Sequence, residues 1–280
     1  MEIVFDKVTY VVNKKTSLEK TILNDISFSI KDAGVYSFIG ASSSGKTAIA
    51  DLINALYEPT KGTIKVGRYT INGKKIKDIN KLRKTTGYVF RNPYEMFFNK
   101  TVEKEIMFAI KSFKYKTENA RKRVIDALKL VELDESYLSL NPFDLNLVDA
   151  KRVALACALV YNPKIIILDE ITVGLNNSDK KDLLRLIRLL KTNYKKIVII
   201  LSKDTSFCYE ITDTIFLMSA GKIIETGDKK LLTNVDLLKN IKLEIPKIVS
   251  FINECNKKGH DIYQYTSIHE LIKGVFRDVY

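Results

Sequence analysis

One eight-residue stretch constrains the fold of this chain more than any other. Residues 40–47 read GASSSGKT and match every fixed position of the pattern G-x-x-x-x-G-K-[ST]. The preceding VYSFI is mostly β-branched or aromatic and predicts a short buried strand, whereas residues 47–57 carry apolar side chains at helical spacing. A strand, a glycine loop and a helix in this order predict a phosphate-binding loop. The alternative is a Gly/Ser turn that carries a lysine by chance.

The residue types of this stretch suit phosphate binding for separate reasons. Gly40 and Gly45 allow a tight turn in which successive N–H groups point at one phosphate, and the helix N-terminus adds a partial positive charge. Lys46 can reach the β and γ phosphates of a nucleotide, and the Thr47 hydroxyl can ligate Mg²⁺. We therefore expect a nucleotide to contact Gly40, Ala41, Ser42, Ser43, Ser44, Gly45, Lys46 and Thr47.

Length and composition predict a folded protein that is soluble and not secreted. The 280 residues are 46% hydrophobic with five prolines, enough for one large domain or two of ordinary size. No run approaches the roughly eighteen apolar residues of a membrane span. We therefore expect contact with a membrane only through a partner. Three well-separated cysteines lack metal-ligand spacing and indicate buried thiols in a reducing cytosol: Cys157, Cys208 and Cys255.

The net charge of +13 is the one bulk property that favours nucleic acid or an anionic membrane surface as a partner. However, the lysines are spread along the whole chain, and no basic stripe alternates with aromatic residues. We therefore expect no direct contact with nucleic acid.

The order of predicted elements indicates an α/β fold. Residues 2–12 and 22–30 alternate apolar and polar side chains and predict an antiparallel hairpin. Further strands are predicted at 62–66, 69–73, 87–90, 164–170, 196–201, 214–218 and 222–225, and core helices at 79–84 and 178–191. Strands that alternate with helices predict a mostly parallel sheet covered on both faces.

Two segments depart from this alternation. Residues 91–162 predict a helical subdomain inserted into the α/β core, with helices at 101–111, 117–131 and 147–161. The tail predicts three short helical pieces, at 235–241, 247–258 and 267–276. We therefore expect a domain over residues 1–233 that contains the insertion, followed by a small C-terminal helical unit over residues 234–280.

A second stretch supplies what a phosphate-binding loop still needs. Mg²⁺ keeps several waters and takes few protein ligands, so a carboxylate must stand near Thr47 on a neighbouring strand. Asp169 ends the apolar run KIIILD and is the expected metal ligand, and Glu170 next to it is placed to polarise an attacking water. The alternative is an acidic strand end exposed to solvent.

These features together resemble a known family. The order of phosphate loop, helical insertion, ILDE strand and small C-terminal unit is similar to an ABC transporter ATPase over essentially the whole chain. Four shorter matches resemble the ATPases of energy-coupling factor (ECF) importers, which bring vitamins and transition metals into prokaryotic cells: NPFDL at 141–145, RVA at 152–154, GL at 174–175 and IPKI at 245–248.

Several family positions differ in this chain. Arg91 stands where the family has a glutamine that senses Mg²⁺ and water, and Lys203 stands where it has the switch histidine. LNLVD at 145–149 replaces the signature LSGGQ, Asn176 replaces an aspartate, and Ile171 replaces a proline. The aromatic residue that stacks on adenine falls at Val12, with Tyr10 two residues earlier on the same strand face. We take Tyr10 as the expected adenine contact.

The main losses hold under any alignment. The chain has one glutamine, Gln264, and two histidines, His260 and His269, all in the tail, and it has no glycine between Gly87 and Gly174. In the family, the signature segment of one subunit covers the ATP on its partner. Leucine and valine in place of glycines keep the backbone further from that ATP, so the resemblance implies that this chain impairs the site in its partner subunit. Arg91 or Lys203 can substitute as a cation near the phosphate, or can pair with an acidic neighbour.

The resemblance implies an ATP-binding subunit at the cytoplasmic face of the membrane that binds Mg-ATP with slow or lost hydrolysis. Its implied partners are a second ABC ATPase and a transmembrane scaffold protein with a substrate-binding membrane subunit. A second hypothesis is a nucleotide-regulated structural subunit that dimerises on ATP without turnover. A third, a soluble ABC protein on ribosomes or DNA, fits poorly because the chain has one core and no long coiled-coil insertion.

Overall fold

The structure is a computed structural model that describes residues 1–73, 76, 78–259, 262, 265 and 268–277. Ten strands and ten α-helices form the regular structure of these residues. The strands are β1 (Ile3–Val12), β2 (Lys20–Ile30), β3 (Gly34–Ile39), β4 (Lys61–Val66), β5 (Tyr69–Ile71), β6 (Thr86–Val89), β7 (Ile165–Asp169), β8 (Ile197–Ser202), β9 (Thr214–Ser219) and β10 (Lys222–Gly227). The helices are α1 (Lys46–Ile53), α2 (Ile79–Arg83), α3 (Val102–Ser112), α4 (Ala120–Leu130), α5 (Leu147–Leu159), α6 (Asn177–Thr192), α7 (Thr205–Ile211), α8 (Val235–Asn240), α9 (Lys247–Lys257) and α10 (Ile268–Arg277).

The central sheet has six strands in the order β10-β9-β3-β8-β7-β6. All neighbouring pairs are parallel except β9 and β10, which are antiparallel. Every residue of β7 and β8 is buried, as expected for strands inside a parallel sheet. Ile39 pairs with Ser202, and Asp169 pairs with Leu201, so the carboxyl ends of β3, β7 and β8 meet at one edge.

Alternate residues of the central strands enter two different cores. Ile166 and Leu168 pack with α3, α4, α5 and α6 on one face, whereas Ile165 and Ile167 pack with α1 on the other. The predicted mostly parallel sheet with two covered faces is therefore confirmed. On the face that packs against α1, a second sheet covers much of the central sheet.

This second sheet is antiparallel, with the strand order β2-β1-β4-β5. It confirms the hairpin predicted at 2–12 and 22–30. Phe28 of β2 packs edge-on against Phe38 of β3 with ring centroids 5.0 Å apart, and it stacks on Phe5 at 4.5 Å. Aromatic packing thus fixes the second sheet on the strand that leads into the phosphate-binding loop.

Helices α1 and α7 differ most from the prediction. Helix α1 ends at Ile53 and not at Tyr57, because Ala55 adopts a left-handed conformation with φ of 49°. Helix α7 was not predicted at all. Its start is marked by Asp204, whose carboxylate accepts a hydrogen bond from the Phe207 amide.

The described part of the tail packs on the core. Leu238 of α8 and Val249 of α9 belong to the same buried cluster as the central strands. The Thr205 hydroxyl donates to the Glu244 carbonyl at 2.8 Å, and the Lys247 amide donates to the Ser206 hydroxyl at 3.0 Å. The division at residue 233 and a role of the tail in dimer contact stay predictions. Ser267, the first residue of the predicted last helix, lies outside the described residues.

Candidate functional site

The predicted phosphate-binding loop connects β3 to α1 at the carboxyl edge of the central sheet. Gly45 has a φ of 101°, and Ser43 has a φ of 63°, so the loop turns through two left-handed residues. A Cβ at Gly40 would lie 2.4 Å from the Met218 carbonyl oxygen, which excludes a side chain there. The N-cap residue of α1 is Gly45, which has no side chain to accept from the first amides. The N-terminus of α1 therefore offers uncapped amide groups to an anion.

Lys46 lies inside the loop and is 6% exposed. Its Nζ donates to the Gly40 and Ala41 carbonyls at 2.7 and 3.0 Å and lies 3.5 Å from Glu170 Oε1. Burial lowers the pKa of Lys46, and the Glu170 and Asp169 carboxylates oppose that shift. A phosphate in the loop would give this buried ammonium a stronger partner than the two carbonyls.

Thr47 and Asp169 form the predicted pair of metal ligands. The Thr47 hydroxyl donates to Asp169 Oδ2 at 2.8 Å. Asp169 is 2% exposed, and burial raises its pKa. Its Oδ1 is buried and has no hydrogen-bond partner among the described residues, and the same holds for the Ser44 hydroxyl. Thr47 and Asp169 thus offer hard oxygen ligands, and Asp169 Oδ1 still lacks a partner in the described part of the chain, so the pair fits Mg²⁺.

No group of three or more His, Cys, Asp and Glu side chains is placed to hold a metal in the part of the chain that the structure describes. The protein therefore offers few ligands at this site, and a metal here would depend on phosphate oxygens and water for the rest.

Glu170 directly follows β7 and is 7% exposed. Its backbone has a φ of 44°, a conformation that glutamate rarely adopts, and its amide donates to the Leu201 carbonyl at 2.8 Å. Oε2 accepts a hydrogen bond from the Lys203 amide at 3.4 Å. The tight turn directs Glu170 back toward Lys46, so the carboxylate lies at the same edge as the loop.

Arg91 and Lys203 both come to this edge. They follow β6 and β8, the two neighbours of β7 in the sheet. Burial raises the pKa of Asp169, and the charge of Arg91 opposes that rise. Burial lowers the pKa of Lys46, and the charge of Lys203 adds to that lowering. Within the described ranges neither side chain forms an ion pair with a carboxylate, so both cations keep their charge available to an anion.

Tyr10 lies on β1, and its ring stacks on Tyr57 with centroids 5.7 Å apart. Tyr57 follows the C-terminal end of α1, whereas the phosphate-binding loop precedes the N-terminal end. Tyr10 is therefore placed beside the far end of the helix, with one ring face occupied by Tyr57. Its contact with adenine stays a prediction.

The segment in the signature position begins α5. Asn146 caps this helix and accepts hydrogen bonds from the Val148 and Asp149 amides, both at 3.0 Å. The Asp149 carboxylate in turn accepts from the Asn146 amide at 2.8 Å and from the Tyr137 hydroxyl at 3.0 Å. A Cβ at Gly174 would lie 2.6 Å from the Leu147 side chain, so Leu147 packs closely on that glycine. The Val148 and Asp149 amides at the start of α5 are therefore already bonded within the chain.

Lys151 of α5 is a functional candidate that sequence reasoning missed. It is 2% exposed, and its Nζ donates to the Ile171 carbonyl at 2.9 Å and to the Val173 carbonyl. Burial lowers its pKa to about 8. The segment that Lys151 holds directly follows Glu170. One signal was present in the sequence: Lys151 and Arg152 open a helical run that is apolar from Val153 to Tyr161.

Asp51 is a second missed residue. It lies on α1 one turn after Thr47, and its carboxylate accepts from the Tyr88 hydroxyl at 3.4 Å. Burial, together with the Asp169 charge, raises the pKa of Asp51 to about 6. Its spacing of four residues from Thr47 puts it on the same helix face and was the available signal.

No helix of the described residues is long and apolar enough to cross a membrane. Apolar side chains are nevertheless exposed on the helical segment 91–162. Phe98 and Phe108 are 58% and 46% exposed and pack edge-to-face at 4.5 Å, and Phe143 is 49% exposed. Such a group of exposed aromatic rings is typical of a contact surface.

Comparison with known proteins agrees with this geometry. A family model described as ABC transporter matches residues 23–173. The energy-coupling factor transporter ATP-binding protein EcfA2 of Mycoplasma capricolum is 34% identical over 93% of this chain and 91% of its own length. The protein of the same name from Clostridium perfringens is 34% identical over 94% of this chain and 92% of its own length.

Solved structures agree as well. CbiO1 from Clostridium perfringens, part of the ABC transporter complex cbiONQ, is 26% identical over 90% of this chain and 98% of its own, with a TM-score of 0.73. The ATP-binding cassette MJ0796 in a post-hydrolysis state is 24% identical over 81% of this chain and 98% of its own, with a TM-score of 0.75, and supports the fold alone. This chain therefore belongs to the ABC transporter ATPases of the energy-coupling factor type.

Proposed function

We propose that this chain is an ATP-binding subunit of an ECF-type importer and binds Mg-ATP at the edge formed by β3, β7 and β8. The observation that carries the proposal is the convergence of Lys46, Thr47, Asp169 and Glu170 from two distant parts of the sequence. The buried Lys46 ammonium and the unpartnered Asp169 Oδ1 each suit one half of a metal–phosphate group.

Each residue has a separate role in this proposal. The loop amides and Lys46 hold the β and γ phosphates, and Tyr10 contacts adenine. Thr47 and Asp169 hold Mg²⁺, which when bound neutralises phosphate charge. Glu170 orients the attacking water as a general base.

Hydrolysis at this site is slow or lost in our proposal. Both histidines and the one glutamine of the chain come after residue 259 in the sequence. Loss of one donor that stabilises developing charge typically costs ~3 to 4 kcal/mol, or ~10²- to 10³-fold in rate. Arg91 and Lys203 supply charge at the same edge but neither the imidazole nor the amide chemistry. The Asn146 cap and Asp149 also weaken the contact that this segment would make with the partner's nucleotide, because Asn146 already bonds the Val148 and Asp149 amides.

The proposed partners are a second, more regular ABC ATPase and a transmembrane scaffold with a substrate-binding membrane subunit. The names of the relatives refer to a transporter, and CbiO1 is part of a transporter complex. Phe98, Phe108 and Phe143 provide an exposed apolar surface for the scaffold. On this proposal the chain works at the cytoplasmic face of the membrane, and the membrane subunit selects a vitamin or other micronutrient. Residues 234–280 contribute to contact between the two ATPases.

Equilibrium binding of Mg-ATP tests the proposed site. We expect Lys46→Ala to abolish binding, because it removes the buried cation, whereas Glu170→Gln should change binding little, because it acts on the water. Titration of a fluorescent ATP analogue into wild type and both variants measures this. If both variants bind as wild type does, the site assignment is wrong.

A nucleotide-regulated structural subunit is the second candidate. The observation that favours it is the Asn146 cap of the signature segment, since the Val148 and Asp149 amides that Asn146 bonds are no longer available to a partner's nucleotide. Steady-state phosphate release by the assembled complex separates the two. A rate well above that of a complex carrying Glu170→Gln excludes the purely structural role, and equal rates exclude turnover at this site.

A further inference from the structure

A cavity of about 350 Å³ lies at the amino ends of β7 and β8, opposite the edge that carries the phosphate-binding loop. Its polar lining comes from three places: Arg123, Asp126 and Lys129 on α4, Asn162 before β7, and Tyr194 and Lys196 before β8. The three cations outnumber the single carboxylate. The volume lies within the range of small-molecule pockets, roughly 300–1,000 Å³.

Lys196 is the buried cation of this cavity, with 4% of its surface exposed. Its Nζ donates to the Pro163 carbonyl at 2.5 Å, to Asn162 Oδ1, and more weakly to the Asn162 carbonyl at 3.4 Å. All three acceptors are neutral. Burial lowers the pKa of Lys196 to about 8, and the positive charges of Lys164 and Arg123 add to this effect. The ammonium is therefore held near like charges, and no carboxylate of the described residues forms an ion pair with it.

Arg123 leaves the other side of the cavity electropositive. Its Nε donates to the Val160 carbonyl at 2.8 Å, and its guanidinium lies over the Tyr115 ring at 5.4 Å. Neither of its terminal nitrogens donates to an acceptor within the described ranges. Asp126 forms no ion pair with a described residue, and Lys129 pairs with Glu135 at 3.3 Å outside the lining. The excess of positive charge is thus concentrated on Arg123 and Lys196.

The remaining wall of the cavity is apolar. Leu130, Leu159 and Leu190 line it, and the half-exposed ring of Tyr194 stands at its edge. An inorganic anion would use only the cationic side of this space. A molecule with an anionic group and an apolar body would contact both sides.

We propose that this cavity binds a small organic phosphate, with its phosphate group between Arg123 and Lys196 and its apolar body against Leu159 and Leu190. Arg offers the planar set of donors that suits phosphate oxygens, and the ammonium adds a second charge. This site is separate from the phosphate-binding loop and does not depend on the function proposed above.

Calorimetric titration with phenyl phosphate tests the proposal. The full chain carries Lys46→Ala in every experiment, so that the loop does not contribute. We expect one saturable site that binds phenyl phosphate at least several-fold more tightly than inorganic phosphate. Arg123→Gln should weaken binding about tenfold or more, because it removes a charge-assisted contact, whereas Arg121→Gln, on an exposed part of the same helix, should change it less than about twofold.

Lys196→Met provides the second arm, with Lys122→Met as its matched control on α4. Circular dichroism checks that each variant folds, and if Lys196→Met does not, the comparison of Arg123→Gln with Arg121→Gln decides the test. No saturable binding, or equal effects of Arg123→Gln and Arg121→Gln, would each overturn the proposal. ATP binding by the wild-type loop is measured separately, so failure here leaves that result untouched.

Discussion

Replacement of Lys151 by methionine is predicted to destabilise the protein by an amount that grows with pH. At neutral pH the substitution removes two charge-assisted hydrogen bonds, to the Ile171 and Val173 carbonyls, each worth about 1.5–3 kcal/mol. It also removes the cost of burying the ammonium. A pKa lowered from 10.5 to about 8 corresponds to about 3 kcal/mol at about 1.4 kcal/mol per pH unit. The net loss at pH 7 is therefore about 0–3 kcal/mol.

The pH dependence follows from the direction of this shift. Between pH 8 and pH 10.5 the unfolded chain still binds the proton that folded Lys151 has lost, so the wild-type free energy of unfolding rises with pH. By about pH 9.5 this rise contributes about 2 kcal/mol. Methionine has no proton to lose. The difference between wild type and Lys151→Met should therefore be about 2 kcal/mol larger at about pH 9.5 than at about pH 7.

Urea unfolding at the two pH values, followed by circular dichroism, measures this difference. Lys181→Met, which changes an exposed lysine on α6, is the matched control and should show the same small effect at both pH values. A difference for Lys151→Met that is constant or shrinks as the pH rises would refute the reasoning. Equal stability of wild type and Lys151→Met at both values would show that the two hydrogen bonds contribute nothing.

Three further predictions concern single residues. Gly45→Ala should lower the free energy of unfolding by about 1–3 kcal/mol and weaken ATP binding. Alanine is strained at a φ of 101°, and its Cβ would lie 2.7 Å from the Leu23 side chain. Urea unfolding measures the first effect, and nucleotide titration measures the second. Asn146→Ala should cost about 1 kcal/mol through loss of the α5 cap, and Asn146→Ser should restore most of it in the same unfolding assay. Lys196→Met should reduce the rise in stability between pH 8 and pH 10.5, since burial lowers the pKa of Lys196 to about 8; an unchanged rise would contradict this.

The sequence predicted those parts of the site that depend on local pattern and strand order. GASSSGKT required a loop between a strand and a helix, and the apolar run before Asp169 required a buried strand. In a parallel sheet both strands end at the same edge, so the approach of Asp169 to Thr47 followed from the topology. Arg91 and Lys203 reached the same edge for the same reason.

Other parts of the site depend on packing between distant segments and were not predictable. Nothing near Lys151 in the sequence indicates that its ammonium reaches the Ile171 carbonyl twenty residues away. Similarly, the stacking of Tyr10 on Tyr57 depends on how β1 lies across α1. The left-handed conformation of Ala55, which shortens α1, was also not predictable, because glycine or asparagine is the usual residue at such a position.

Purification of the tagged chain from gently solubilised membranes of its native cell tests the central claim most directly. Mass spectrometry of the copurifying proteins identifies the partners. We predict recovery of a second ABC ATPase together with a multi-helix membrane protein. Recovery from the soluble fraction alone, or together with ribosomes, would contradict the assignment to an importer.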